Sequence, residues 1–215
     1  MRCVISAGPT WEPLDRVRRL TNFSTGSLGG ELANHLANQG HEVRLLLSET
    51  ATWQSPLAAV AVNRFDTTES LRQQFFGAAD WHPDLVFHAA AVSDFTGGAA
   101  FRRLPNGALA PVAAGKLTTR EGDLLVELRP TPKLLPELPT TFPGARIIGW
   151  KYEVDGTRAE ALEAGRRQLA ESVTFGCVVN GPAYGVGFGF LRSGQELIHL
   201  ADKPALFTAL AALGR

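Results

Sequence analysis

The run Asp84-Leu85-Val86-Phe87-His88-Ala89-Ala90-Ala91 constrains the fold more than any other stretch of the chain. It reads as a strand that is apolar along nearly its whole length, and a strand without a polar face is covered on both sides, as in doubly wound parallel sheets. The segments before it fit that arrangement. Residues 2–7 (Arg-Cys-Val-Ile-Ser-Ala) read as a buried strand closed by Gly8-Pro9-Thr10, and a loop then runs from Trp11 to Asn22. The helix expected from Gly26 to Asn38 carries Leu28, Leu32 and Leu36 on one face and stops at Gly40. Glu42 to Ser48 is a second strand, so the chain opens β–loop–α–β, and the right-handed crossover rule makes the pair parallel. Ala58 to Val62 reads as a further strand and Thr68 to Ala79 as an amphipathic helix.

From Val92 to Gly122 the periodicity fails, and small residues, Pro105, Pro111 and Gly115 alternate with isolated bases. A long excursion of this kind within a compact domain reads as a loop or flap with a functional role. Regular alternation then resumes. Strands are expected at Asp123 to Leu128, Ala145 to Trp150 and Phe175 to Asn180, with a short helix from Thr131 and a charged amphipathic helix from Thr157 to Ser172. Ser193-Gly194 between two apolar stretches signals a hairpin before a last helix from Lys203 to Leu213. The fold class is α/β: one domain over residues 1–215, a three-layer Rossmann-like, mostly parallel sheet with an antiparallel flap or hairpin addition.

Charge narrows the function. With 21 basic and 21 acidic residues, the chain has no broad field to attract nucleic acid or an anionic membrane, so any anion must be held by a local site. The two cysteines, Cys3 and Cys177, each lie in an apolar run and read as buried, inert thiols of a reduced, cytoplasmic protein. No apolar run approaches a membrane span, and the start of the chain lacks a signal-peptide pattern.

In open α/β sheets, ligands bind beyond the carboxyl ends of the strands. The notable loops all follow strands: Gly8-Pro9-Thr10 with the Asn22 to Gly30 turn, Ala91 to Phe95, Gly149-Trp150-Lys151 and Asn180-Gly181-Pro182. The turn Asn22-Phe23-Ser24-Thr25-Gly26-Ser27-Leu28-Gly29-Gly30 joins small hydroxyl residues and three glycines to a helix start. Unpaired amides and the helix dipole favour a phosphate there, with Ser24 and Thr25 as added donors; an ordinary Ser/Thr cap with a packing glycine is the other reading. A Gly-x-Gly-x-x-Gly turn is missing, and Glu49 alone stands where a ribose would be met, so a nicotinamide enzyme remains only as an alternative. Asp94 could accept from a ribose or help hold a metal, or cap a turn. Arg18 and Arg19 could meet a carboxylate or phosphate, and Lys116 is the best-placed base of the flap. Trp150, at a strand end, is the one tryptophan suited to stack on a base. His35, His41 and His88 read as structural, and no His/Cys spacing suggests zinc.

Taken in order, Ile5 to Thr10 with Glu12-Pro13 and Asp15, Val17-Arg18, Asn22 to Gly26, Gly40 to Val43, Ala89 to Phe95, Lys116-Leu117, Pro130-Thr131-Pro132, Ile148-Gly149-Trp150 and Val179-Asn180 resemble the phosphopantothenoylcysteine synthetase family over nearly the whole chain, without the flavin-dependent decarboxylase module. The resemblance implies a ligase of coenzyme A biosynthesis that reacts a nucleoside triphosphate, CTP or ATP, with the carboxylate of 4′-phosphopantothenate and then with the cysteine amine. It assigns Asn22 to the acyl-phosphate intermediate, Arg18 beside it, Asp94 to the nucleotide and Lys116 to closure. Gly8, Pro9, Thr10, Ser24, Thr25, Gly26, Ala91, Phe95, Trp150 and Asn180 complete the nucleotide site. It also implies Mg2+ with the triphosphate and a homodimer whose subunits complete each other's sites. This chain departs from the family pattern at Ser27, usually Lys; at Lys116-Leu117-Thr118-Thr119, usually richer in lysine; at Lys133, usually acidic; and at Trp150-Lys151-Tyr152-Glu153, usually Phe-Ala-Ala-Glu. A divergent nucleotide-binding relative acting on another acid is the remaining reading.

Overall fold

The computed structural model describes residues 1–58, 60–112 and 122–214. In chain order these form β1 (Arg2–Ala7), β2 (Trp11–Pro13), β3 (Arg19–Thr21), α1 (Ser27–Asn38), β4 (Glu42–Ser48), β5 (Val60–Phe65), α2 (Thr68–Ala79) and β6 (Leu85–His88). There follow β7 (Phe95–Arg103), β8 (Leu109–Val112), β9 (Leu124–Pro130), a 3-10 turn (Leu135–Glu137), α3 (Leu138–Thr141), β10 (Arg146–Tyr152) and α4 (Arg158–Ser172). The chain closes with β11 (Gly176–Asn180), β12 (Phe188–Arg192), β13 (Ile198–Leu200) and α5 (Lys203–Ala211).

Apolar alternation within the strands explains the layers. In β6, Leu85 and Phe87 point to a cluster with Leu32 and Leu36 of α1 and Leu206 and Leu210 of α5. Val86 points the other way, to Leu71 and Phe75 of α2 and Leu138 of α3. Both faces are therefore dry, and each large apolar side chain buried there contributes about 1.5–3 kcal/mol. A third cluster joins α4 through Ala161 and Leu169 to Cys177 and Val179 of β11. Burial pushes both thiols, Cys3 and Cys177, up to about 12, so neither ionises near neutrality. Among the described residues, no helix is long and apolar enough to cross a membrane.

The eight-stranded sheet has the order β13-β12-β11-β10-β6-β1-β4-β5. It is parallel from β5 to β11, and β12 and β13 add antiparallel at one edge. From β1 the chain moves outward to β4 and β5, then returns to β6 on the other side of β1. The strand order thus reverses between β1 and β6, opening a crevice at their carboxyl ends.

Three expectations change. The loop Trp11 to Asn22 contains a hairpin, β2 against β3, and Glu12 ties it down by accepting from the Thr68 amide at the start of α2. The expected flap is partly regular: β8-β7-β9 form a separate antiparallel sheet that leaves the main body after Asp94 and returns at Thr131. Its middle strand was hidden because Gly97-Gly98-Ala99-Ala100 carries almost no hydrophobic signal. Strand β5 also lies later than the expected Ala58 to Val62. It is an edge strand, held by β4 alone.

Candidate functional site

The crevice between β1 and β6 is closed by a small set of hydrogen bonds. Past the ends of both strands, the Ala91 amide donates to Gly8 O (3.0 Å) and the Thr10 amide donates to Ala91 O (3.1 Å), so Pro9 and Ala91 extend the parallel pairing. Asn22 arrives from the end of β3 and donates its side-chain Nδ2 to Ala91 O and Val92 O, both at 3.1 Å. Ser93 donates its amide to Thr10 Oγ1 (2.8 Å), and Thr21 Oγ1 donates to Thr10 O (2.9 Å). Gly8, Pro9, Thr10, Asn22 and Ala91, expected at one site, thus meet in one hydrogen-bonded junction. Both N–H bonds of the Asn22 amide are engaged by carbonyls, which turns its acceptor oxygen away from them.

The three glycines of the turn have separate roles. Gly26 (φ +80°) caps α1 in the left-handed region, and a Cβ there would come within 3.4 Å of Gly8 Cα and 3.0 Å of Ala51 Cβ. Gly8 (φ +89°) is under the same restriction. Gly29 and Gly30 instead allow packing: a Cβ at Gly29 would lie 2.5 Å from Ala7 Cβ, and one at Gly30 would lie 2.4 Å from the Trp53 ring. Thr25 Oγ1 donates to Ser27 Oγ and accepts from the Ser27 amide, while Ser24 is half-buried. The Trp53 amide donates to Thr25 O, which lays residues 49–58 across the start of α1. Beyond that loop a cleft of about 450 Å³ is lined by Glu49, Trp53, Gln54 and Arg64 among others. It lies at the end of β4, apart from the Asn22 junction.

The charged residues are placed one by one. Arg18 is held by Asp15: its Nε and Nη2 donate to Oδ2 at 3.0 and 2.9 Å, while Oδ1 accepts the Val17 and Arg18 amides. The Asp15 side chain is only 2% exposed, so this pair, two guanidinium donors on one carboxylate oxygen, fixes the turn between β2 and β3. Arg19 lies 5.5 Å from the Trp11 ring centroid. Asp94, exposed, follows Ser93 and pairs with Lys133, and exposed Phe95 begins β7. Lys116 and Arg120 lie outside the described residues.

Trp150 and Asn180 stand at the carboxyl ends of β10 and β11, on the same side of the sheet as α1 and α5. Trp150 Nε1 and Asn180 Oδ1 are buried without a hydrogen-bond partner, one a donor and the other an acceptor. Such orphans are uncommon in folded proteins and suit a polar ligand edge. Trp150 stands on the strand next to β6 and Asn180 on the one beyond it, so both share the edge of the sheet that carries the Asn22 junction.

His88 is structural, as expected. Its Nδ1 lies 2.7 Å from Ser6 Oγ and its ring meets Phe75 edge-on at 5.4 Å. Complete burial pushes its pKa down to about 4, so the imidazole is neutral. Sequence reasoning named Ser93 and Thr131 within motifs but gave neither a role. Thr131 Oγ1 donates to Ser93 O and its amide donates to Asp94 O (3.0 Å), which clamps the two ends of the small sheet together. The Thr-Pro pair after β9 was the available signal for this turn.

Among the described residues, no group of three or more His, Cys, Asp or Glu side chains could hold a metal ion alone. A magnesium ion carried by a polyphosphate needs less, one or two carboxylates with waters and phosphates, and exposed Asp94 at the crevice fits that donor set.

Known proteins share this fold. The chain is 29% identical over 169 residues to the coenzyme A biosynthesis bifunctional protein CoaBC of Thermococcus kodakarensis, an alignment covering 78% of this chain and 38% of that protein. It therefore spans well under half of that relative's length. Among solved structures, the DNA/pantothenate metabolism flavoprotein from Streptococcus pneumoniae superposes with a TM-score of 0.81 at 20% identity, covering 100% of this chain and 99% of that one. A Cab2 mutant in complex with phosphopantothenate-cysteine gives 0.73 at 18% identity, covering 99% and 85%. The family described as the DNA/pantothenate metabolism flavoprotein C-terminal domain matches residues 1–192, and the chain belongs to it.

Proposed function

We propose that this chain is a phosphopantothenate–cysteine ligase that works through an acyl-nucleotide. The observation that carries the reading is the junction of Gly8, Thr10, Asn22 and Ala91 at the strand-order switch, where an open α/β sheet binds its ligand. A relative in coenzyme A biosynthesis and a structural neighbour in complex with phosphopantothenate-cysteine support the same reading.

In the first step a carboxylate oxygen of 4′-phosphopantothenate attacks the α-phosphorus of CTP or ATP, and pyrophosphate leaves. In the second, the cysteine amine attacks the acyl carbon, the C–O bond to the nucleotide breaks, the nucleoside monophosphate departs and the amine gives up a proton. The protein contributes position and charge more than bond-making groups. Asn22 is braced at the reacting end, with its acceptor oxygen available to an amine N–H. Asp94 meets the nucleotide and the Mg2+ that accompanies it. Magnesium supplies charge neutralisation on the triphosphate when bound. Trp150 and Asn180 supply a donor and an acceptor for the base or ribose, Phe95 follows Asp94 at the start of β7, and the closing role is the one the family resemblance assigns to Lys116, which lies outside the described residues.

Two copies pair through the small sheet, where Phe95 and Leu128 are exposed on one face and Leu109 on the other, with Val17 and Phe23 also exposed. The enzyme acts in the cytoplasm on small molecules. The nicotinamide reading is disfavoured because the turn after β1 lacks the Gly-x-Gly-x-x-Gly pattern that lets a dinucleotide pyrophosphate approach a helix start.

The test is pyrophosphate release with 4′-phosphopantothenate and cysteine, run with CTP and ATP separately. Nucleotide-dependent product with either is expected. Absence of product with both, together with tight NAD(P) binding, would overturn the ligase in favour of an oxidoreductase.

A further inference from the structure

Lys133 stands where the small sheet rejoins the main body. Thr131, two residues earlier, is buried and locked by its hydroxyl to Ser93 O and by its amide to Asp94 O, and Pro132 restricts the backbone between them. The lysine's root is therefore fixed to the segment that carries Ala91, Val92 and Ser93. Its Nζ contacts Asp94 Oδ1, one residue beyond Ser93. The pair is open, with side chains 68% and 66% exposed, so it adds little to stability.

An ammonium has three N–H donors, and among the described residues Asp94 is the one partner recorded for this one. The other cations near the crevice are differently engaged. Arg18 uses Nε and Nη2 on a buried carboxylate, Lys151 pairs with Glu153 at 3.0 Å, and Arg19 lies against Trp11. Lys133 combines a rigid root, open donors and a place beside the residues that close the strand-order switch.

We infer that Lys133 is a phosphate-binding residue of this site, donating to the β- and γ-phosphates of a nucleoside triphosphate while Asp94 keeps the ammonium over the crevice. The inference rests on the ligase reading for its substrate, and its chemistry is that of a point charge meeting a polyanion. Binding should therefore grow with phosphate count, and Lys133 should carry a share of that growth.

The experiment measures calorimetric binding of CMP, CDP, CTP and ATP to the wild-type protein, Lys133→Met and Lys133→Arg, alongside steady-state pyrophosphate release. In Lys133→Met, triphosphate affinity should fall about tenfold, which corresponds to ~1.4 kcal/mol. Monophosphate affinity should change less than about twofold, and the nucleotide KM should rise with the KM for phosphopantothenate unchanged. Lys133→Arg should recover most of the loss. A purely structural lysine would lower the unfolding temperature and leave the triphosphate-to-monophosphate affinity ratio unchanged, and that result overturns the inference. If the wild-type protein turns over and the ratio does not move, this inference fails alone. If the wild-type protein makes no product yet the ratio depends on Lys133, the ligase reading fails and the phosphate role stands. Wild-type protein that binds no triphosphate overturns both.

Discussion

Asn22 shows how one amide can be structural and chemical together. Its nitrogen reaches across 69 and 70 residues of sequence to bind two carbonyls, so replacing it with a carboxylate sets oxygen against oxygen. Asn22→Asp should lose the tie at a cost of about 1–2 kcal/mol. Turnover should fall by roughly 100-fold, more than a thermal shift of that size explains, because the acid and the phosphate now meet an added negative charge. Near-wild-type turnover in a folded variant would remove Asn22 from the mechanism. His88 predicts a pH dependence. Its folded pKa of about 4 lies below the ordinary value of 6.5, so the unfolded chain binds more protons between those values. The stability contributed by neutral His88 is complete above pH 6.5 and is lost as the pH falls toward 4, by up to ~3 kcal/mol. Denaturant midpoints at pH 7.5 and 4.5 should converge in His88→Gln relative to the wild-type protein.

At the scale of the elements, α1 sits on β1 because Gly29 has no side chain. A methyl group there would lie 2.5 Å from Ala7 Cβ, a backbone-anchored atom that cannot swing aside. Gly29→Ala should therefore lift the helix and lower stability by about 1–3 kcal/mol, measured by denaturant unfolding. An unchanged midpoint would show that the two elements slide without penalty. The buried strands and α2 were legible because burial writes itself as apolar runs and periodic faces; the expected helix Thr68 to Ala79 is the observed one. Strand β7 was not legible, because its residues are small or half-buried and its partners lie on either side of a long excursion. The loop ends that form the site could be named from their place after strands. Their junction could not, since it depends on backbone carbonyls that every residue possesses. Lys133 showed itself in sequence only as a departure, and its link to Asp94 crosses 39 residues.

For the whole molecule, the small sheet presents apolar side chains to solvent and, among the described residues, two antiparallel edges, a combination that a monomer gains little from keeping. If a second copy covers it, Leu128→Glu should shift sedimentation from dimer to monomer and reduce pyrophosphate release about tenfold or more, because burying an unpaired carboxylate at the interface opposes association. A wild-type protein that sediments as a monomer at micromolar concentration would sink the dimer. The Ala91 carbonyl has a consequence of another kind. It accepts from both the Thr10 amide and Asn22, while the Thr10 hydroxyl accepts from the Ser93 amide, so these bonds open together. In hydrogen–deuterium exchange the Thr10 and Ser93 amides form one cooperative unit, whose exchange rate reports from the backbone on how firmly the two halves of the sheet are latched.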